Sequence, residues 1–363
     1  MRNNKMEITL FMSVIILSIF GIIMIYSASS IWAEYKFNDQ FRFLKYQGIF
    51  FLIGTILMYF VSKIDYRKYY KYSNKILIIG IILLILVLIP GIGTVRNGSR
   101  SWFGIGPFGI QPSEAMKLAL ITFTSKYLTN NPNSMSNFKK GVLPILFLTL
   151  SVFGIIMLQP DFGTGTILVM TIIGMLFVGG LNLKIFVKFG IAGLLGVVGL
   201  VIMAPYRLKR ILSFLDPWSD PLGSGFQIIQ SMYSIGPGGL FGLGFGNSIQ
   251  KHFYLPEPQT DFIFSIISEE FGFLGIIIIS ILFITIYYNS LKISIRCKDS
   301  FGKYLSFGIT FGLIFQTVLN LSVVIGLVPV TGVTLPFLSY GGSSLIITMI
   351  SIGIILNISR YNR

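Results

Sequence analysis

Asp261 stands in the run Leu255-Pro256-Glu257-Pro258-Gln259-Thr260-Asp261-Phe262, directly before a long apolar stretch. A carboxylate placed there has two readings. It can cap the helix that follows, favoured by the helix dipole, or it can act as a base that takes a proton from a bound hydroxyl. Upstream, Arg207, Lys209 and Arg210 form a basic trio. They can anchor the chain at lipid headgroups, or clamp an anionic, diphosphate-bearing ligand, because the guanidinium fork matches phosphate oxygens. Arg100 can add a contact from a separate segment. Glu114 and Lys117, spaced i, i+3 in an apolar surrounding, are expected to pair, since an unpaired buried charge is costly. Asp161 can cap a helix or bind a ligand. Glu269 and Glu270 follow Asp261 by eight and nine positions, deeper along the same helix, and are expected to form a buried polar network.

Those residues must be held by a membrane-embedded frame. Of 363 residues, 53% are hydrophobic and 11% charged, and the mean hydropathy is +0.80. A water-soluble surface needs roughly 25% charged residues, so a soluble enzyme and a disordered chain are both excluded. The apolar runs are continuous rather than alternating, which selects helices over a transmembrane barrel. Ten spans are predicted, near 9–25, 45–63, 74–90, 114–129, 141–158, 163–181, 184–203, 263–291, 303–328 and 342–358. The fourth is the weakest, because it carries Glu114 and Lys117. With the N-terminus in the cytoplasm, 18 of the 28 Lys and Arg fall on the inner side, against three of the 13 acids (Glu7, Asp65 and Asp299). The positive-inside rule then puts both termini in the cytoplasm. The chain reads as a single integral membrane domain over 1–363. Its long outer segment, 205–262, is rich in aromatic residues, glycine and proline and is expected to fold as a partly embedded cap. Two other outer segments, 92–113 and 328–342, are also chemically rich.

Other chemistries find little support. The single cysteine, Cys297, and single histidine, His252, exclude a disulfide framework and a His- or Cys-rich metal site. Gly104-Ile-Gly106-Pro-Phe-Gly109 spells G-x-G-x-x-G without the strand-turn-helix context that a nucleotide site needs. The net charge of +15 is read as topology and attraction to anionic membrane lipids rather than nucleic-acid binding.

Several segments, in order, resemble the SEDS family (shape, elongation, division and sporulation), which includes RodA, FtsW and SpoVE. The most specific is Asn320 through Leu345, with Gly326, Pro329, Thr331-Gly332, Pro336, Ser339, Gly341-Gly342 and Ser343-Ser344. Others are Gln111-Pro112-Ser113-Glu114 with Lys117, Gln159-Pro160-Asp161 with Gly163-Thr164, and Leu255 through Phe264. Arg207-Leu-Lys-Arg-Ile, Phe226-Gln227 and Gln250-Lys251-His252 make the chain more similar to FtsW and SpoVE than to RodA. The resemblance implies an inverting peptidoglycan glycosyltransferase that polymerises lipid II on the outer face of the cytoplasmic membrane beside a class B penicillin-binding protein. It maps the family's essential aspartate onto Asp261. The candidate substrate-binding residues are then Arg100, Arg207, Lys209, Arg210, Gln111, Asp161, Gln227, Thr260 and Ser343. A divalent cation, Mg or Mn, could assist, although no ligand cluster is defined. The alternatives are a lipid II flippase, which would show polar groups along a path to the inner face, and a non-catalytic division scaffold.

Overall fold

The computed structural model of the chain describes residues 2–361 except 97, 105, 133–134, 136, 224 and most of 183–211. Most of it is helical. They are α1 (Arg2–Phe37), α2 (Arg42–Val61), α3 (Arg67–Leu86), α4 (Pro112–Asn130), α5 (Leu143–Met157), α6 (Phe162–Val178), α7 (Phe226–Ile235), α8 (Ile263–Arg296), α9 (Ser300–Val324) and α10 (Gly342–Tyr361). Among the described residues, seven helices are long and apolar enough to cross a membrane: α1, α2, α3, α5 with its preceding turn, α8, α9 and α10. Their exposed positions are apolar, as at Ile78, Ile278 and Ile284, which is the surface that lipid tails require. The predicted span 184–203 lies almost wholly outside the described residues.

The weak fourth span has a structural reason. α4 packs against α3, α6 and α9 in the middle of the bundle. Its polar side chains Glu114, Thr122, Thr124 and Ser125 are buried in protein rather than in lipid. The first span is longer than its apolar run predicts. At about 1.5 Å per residue, α1 is roughly 54 Å long, well beyond the hydrocarbon layer. Its C-terminal end is supported by packing: Trp32 contacts Phe37 and Phe43, and Tyr35 meets Phe253 edge-on at 5.4 Å.

One end of the bundle gathers the N-terminus of α1, the α2–α3 and α8–α9 turns and the end of α10. Arg360 reaches Glu7 at 3.7 Å, Asn357 bonds the backbone of Ser62 and Tyr66, and Tyr66 donates to Asp299. The other end carries the segments around 92–111, 159–161, 225–262 and 328–341. There a two-stranded hairpin, β1 (Thr94–Arg96) and β2 (Ser99–Trp102), leads into a turn at 106–108. The glycines of the letter-match motif sit in and beside that turn, with no α-helix opening on them, so the match is accidental.

α8 is broken. Gly272 has φ 60° and ψ −159° inside it, a conformation open to glycine and strained for other residues. The break frees backbone groups that the glycine tract satisfies. Glu269 O and Glu270 O accept from Leu243 N (2.9 Å) and Gly244 N (3.0 Å). Phe273 N and Leu274 N donate to Gly239 O (3.0 Å) and Leu240 O (3.1 Å). The approach leaves no room for side chains: a Cβ on Gly242 would lie 2.1 Å from Glu270 O. The segment 239–244 is thus a plug in a broken helix, the arrangement that lets irregular backbone persist beside an apolar environment.

Candidate functional site

The irregular 328–341 segment is moulded by buried amides. Gln47 Nε2 on α2 donates to Ser339 O (3.1 Å), and Gln47 Oε1 accepts from Gly341 N (3.3 Å). Gln316 Nε2 on α9 donates to Thr334 O (2.9 Å). Asn320, one helical turn on, uses its two amide protons on two segments: Nδ2 donates to Val333 O and to Asp261 O, each at 2.7 Å. Tyr340 N donates to Gln259 O at 2.8 Å. The 328–341 segment and the run carrying Asp261 are therefore tied together at two points. Each also holds a non-glycine residue in the left-handed region, Phe337 at φ 66° and Glu257 at φ 45°, the kind of local strain found where backbone is constrained for function.

Asp261 is half-buried. It is not the N-cap residue of the helix that follows: α8 begins at Ile263, and its N-cap is Phe262. Thr260 Oγ1 lies 2.7 Å from Glu257 O and 3.0 Å from Asp261 Oδ1, so its one proton can serve either. Asp161 resolves the other way. Its Oδ1 accepts from Thr164 N (3.1 Å), capping α6, and its Oδ2 accepts from Gln111 Nε2 (2.8 Å) and Ser113 Oγ (3.4 Å). Burial pushes its carboxyl above the usual range. Asp161 and Gln111, both candidate ligand contacts, are bonded to each other and join the start of α4 to the start of α6.

Glu114 and Lys117 form the expected ion pair, with Nζ 3.0 Å from Oε1 and both side chains largely buried. Lys117 Nζ also donates to Gln316 Oε1 at 2.9 Å. Through Gln316, Thr334 and Ser344 Oγ (3.1 Å from Thr334 Oγ1) the pair is linked to the 328–341 segment. A cavity of about 40 Å³ lies beside it, lined further by Thr171, Thr348 and Ser351.

Glu269 and Glu270 are wholly buried and hydrogen-bonded, as the polar-network expectation held. Gln227 is half-buried on α7, and Ser343 is buried at the start of α10, its hydroxyl without a partner among the described residues. Arg100 lies on β2, opposite Val95. Arg207, Lys209 and Arg210 lie outside the described residues. No group of three or more His, Cys, Asp or Glu among the described residues could hold a metal ion.

The sequence reading passed over Arg42, Arg96 and the amides Gln47, Gln316 and Asn320. Arg96 stacks on Trp102 at 4.6 Å and donates to Gly106 O at 2.7 Å. Burial pushes the phenol of Tyr340 up to about 12, against the pull of Arg96 and Arg42. These two cations thus act near the residue bonded to Gln259, two positions before Asp261. Nothing in their spacing points there, because the hairpin that places Arg96 has no strong strand signal.

The comparisons with known proteins agree with this architecture. The chain is 52% identical to stage V sporulation protein E of Bacillus subtilis (strain 168), over 100% of this chain and 99% of that protein. It is 41% identical to a probable peptidoglycan glycosyltransferase FtsW of Geobacter sp. (strain M18), over 99% and 98%. A solved peptidoglycan synthase complex, described as coordinating polymerization and crosslinking, contains a chain that superposes with a TM-score of 0.79 at 30% identity, covering 97% of each. The crystal structure of the rod shape determining protein RodA of Thermus thermophilus superposes with a TM-score of 0.71 at 28% identity, over 97% of this chain and 95% of that one. Higher identity to SpoVE and FtsW than to RodA matches the branch expected from the motifs. Residues 7–363 match the FtsW/RodA/SpoVE cell cycle proteins as a group, and the chain is a multi-pass membrane protein belonging to that family.

Proposed function

We propose that this chain is an inverting peptidoglycan glycosyltransferase that polymerises lipid II into β-1,4-linked glycan strands, with Asp261 as its base. The observation that carries the reading is the placement of Asp261. It stands one residue before the N-cap of α8, and its backbone is fixed by Asn320 against the 328–341 segment. Two such ties cost the chain conformational freedom that packing alone would not demand.

The chemistry asks little of the protein beyond that set. The donor sugar leaves with a diphosphate, a good leaving group once its charge is balanced, so no glycosidase-type general acid is needed. Asp261 takes the proton of the acceptor's 4-hydroxyl as that oxygen attacks the anomeric carbon. The bond to the diphosphate breaks on the opposite face, its electron pair stays with the phosphate oxygen, and the α-linked donor becomes a β-linkage. Arg207, Lys209, Arg210 and Arg100 hold the departing diphosphate, with Arg96 and Arg42 adding positive potential near Tyr340. The long outer segment 205–262 is the catalytic loop. Gln227, Thr260 and Ser343 face substrate, and Asp161 with Gln111 shapes the wall. The described carboxylates do not gather a site for Mg or Mn, so no step is assigned to a divalent cation. The Lys and Arg distribution supports an outer-face reaction with both termini in the cytoplasm, in a bacterial cytoplasmic membrane, and a class B penicillin-binding protein is the partner that cross-links the product.

Purified chain with that partner and labelled lipid II provides the test. Glycan ladders are expected from the wild type. A base contributes roughly 10²–10⁴-fold, so Asp261→Asn should lose at least about two orders of magnitude in rate while keeping expression and partner binding. Retention of more than about a tenth of the rate by Asp261→Asn rejects the base assignment. Transfer of lipid II across a bilayer without ladders would mean a flippase, and neither activity would mean a scaffold.

A further inference from the structure

Two adjacent carboxylates follow the catalytic candidate down α8, and the chemistry above uses neither. Both are fully buried: Glu269 is 0% and Glu270 1% exposed. Their partners differ. Glu270 Oε1 lies 3.4 Å from Lys251 Nζ and accepts from Ser27 Oγ of α1 at 2.6 Å. Lys251 also donates to Gly246 O. Ser248 N also approaches Oε1, at 3.4 Å, so this carboxylate is balanced by an ammonium and joins α1 to the 248–251 turn.

Among the described residues the partners of the Glu269 carboxylate are neutral, and they come from one short turn. Oε1 accepts from Ile249 N at 2.9 Å. Oε2 accepts from Ser248 Oγ at 2.5 Å and from Gln250 N at 3.4 Å. Successive backbone amides cupping an anion form a nest. Here the anion is a side chain of the protein itself, and what it holds is the turn.

That turn is one neck of a loop. The chain leaves it at Lys251, runs through the exposed His252, Phe253 and Tyr254, passes the left-handed Glu257, and returns to α8 through Asp261. Glu269 lies within α8, eight residues after Asp261. Its backbone O accepts from Leu243 N at 2.9 Å, so the same residue also anchors the plug. Glu269 therefore ties the 248–250 turn to α8 at three points, beside the contacts that Ser248 N and Lys251 Nζ make with Glu270. A buried carboxylate is a costly way to fill space, and an apolar side chain of similar volume would usually do as well for stability. The geometry of a carboxylate with three converging donors is better explained by placement.

We propose that Glu269 is a positioning residue for the glycosyl transfer: it clamps the 248–250 turn and thereby sets the loop 251–260 so that Asp261 meets the acceptor hydroxyl. The proposal rests on the reading of Asp261 as the base. Misplacing a reacting group by about 1 Å can cost on the order of 10²-fold in rate, so the effect belongs in kcat.

The test uses the purified chain with its transpeptidase partner and lipid II as substrate. Glu269→Ala should lower kcat on the order of 10²-fold, with KM for lipid II and partner binding unchanged. Glu269→Gln keeps an oxygen acceptor for Ile249 N and should recover part of the loss. Ser248→Ala, which removes one donor and leaves the helix untouched, should lower kcat in the same sense but less. In a Cys297→Ser background, a Tyr254→Cys reporter should react faster with a membrane-impermeant maleimide when Glu269 is alanine. Wild-type kcat in Ser248→Ala and Glu269→Gln, or a loss seen only in KM, overturns the proposal. These two variants decide it even where Glu269→Ala does not accumulate. Asp261→Asn is measured alongside. If it is inactive while the Glu269 and Ser248 variants keep full rate, positioning alone is wrong. If it is active, the base assignment is wrong and the positioning role falls with it.

Discussion

The Glu114–Lys117 pair allows a worked prediction of what a buried charge contributes. The two groups are 3.0 Å apart, with side chains 7% and 13% exposed, so solvent screens them little. Removing one partner from such a pair typically costs about 3–5 kcal/mol, because the survivor is left uncompensated. Lys117 carries a second load. Gln316 Oε1 accepts from its Nζ at 2.9 Å, and a buried acceptor left without a donor costs a further 1–3 kcal/mol or so. Lys117→Met should therefore destabilise more than Glu114→Gln. With a tenfold change in equilibrium for about every 1.4 kcal/mol, either change lowers the folded-to-unfolded ratio by roughly two orders of magnitude or more. Removing both charges, Glu114→Leu with Lys117→Met, should be milder than Lys117→Met alone, since replacing a whole pair by apolar groups is often neutral. The swap Glu114→Lys with Lys117→Glu should recover part of the single losses but not the Gln316 bond. Thermal unfolding midpoints of detergent-purified protein, followed by size-exclusion of the tagged chain, measure the series. Single variants with wild-type midpoints and lost polymerisation would refute this. So would a double variant no better than the worse single one, and the pair would then have to touch substrate.

Asn320→Ala removes the two donors that hold Asp261 O and Val333 O. Two buried carbonyls each lose about 1–3 kcal/mol, so a lower unfolding midpoint and a lower polymerisation rate are expected together. Gly242→Ala places a Cβ 2.1 Å from Glu270 O, whereas Gly236→Ala meets nothing within 4 Å. Membrane levels of folded protein should fall for the first and hold for the second. Arg207→Ala and Arg210→Ala should weaken use of lipid II, with lysine restoring only part, because the planar fork is not replaced by a point charge. Equal rescue by lysine, read from lipid II titrations, would make these residues headgroup anchors.

Composition and continuous apolar runs made the membrane frame legible, because lipid imposes a simple rule on every exposed position. The Glu114–Lys117 pair was legible for the same reason: two charges one turn apart on an apolar helix have few alternatives. Asp261 was visible as a residue but not in its surroundings. Its local sequence fits a helix cap equally well, and what separates the readings is that α8 starts two residues later, at Ile263. Asp161 shows the converse, since its cap on Thr164 N depends on α6 starting at Phe162. The glycine tract was legible as glycine but not as a plug. Its purpose becomes visible only with Gly272, some thirty residues on, whose left-handed backbone opens the helix that the tract closes.

The same geometry bears on whether this family member passes lipid II through its core. A path to the inner face would need a continuous polar channel wide enough for a sugar-peptide headgroup. The polar residues in the middle of the described bundle are instead bonded to one another: Glu114 to Lys117, Lys117 to Gln316, Gln316 to Thr334. The space beside them, about 40 Å³, admits water-sized occupants. Opening it would break the ion pair and strip Thr334 O of its donor, at several kcal/mol by the reckoning above. Those same bonds end on the 328–341 segment, which Asn320 ties to the backbone of Asp261. Their cost is thus more readily understood as holding the surroundings of Asp261 in shape than as gating a passage.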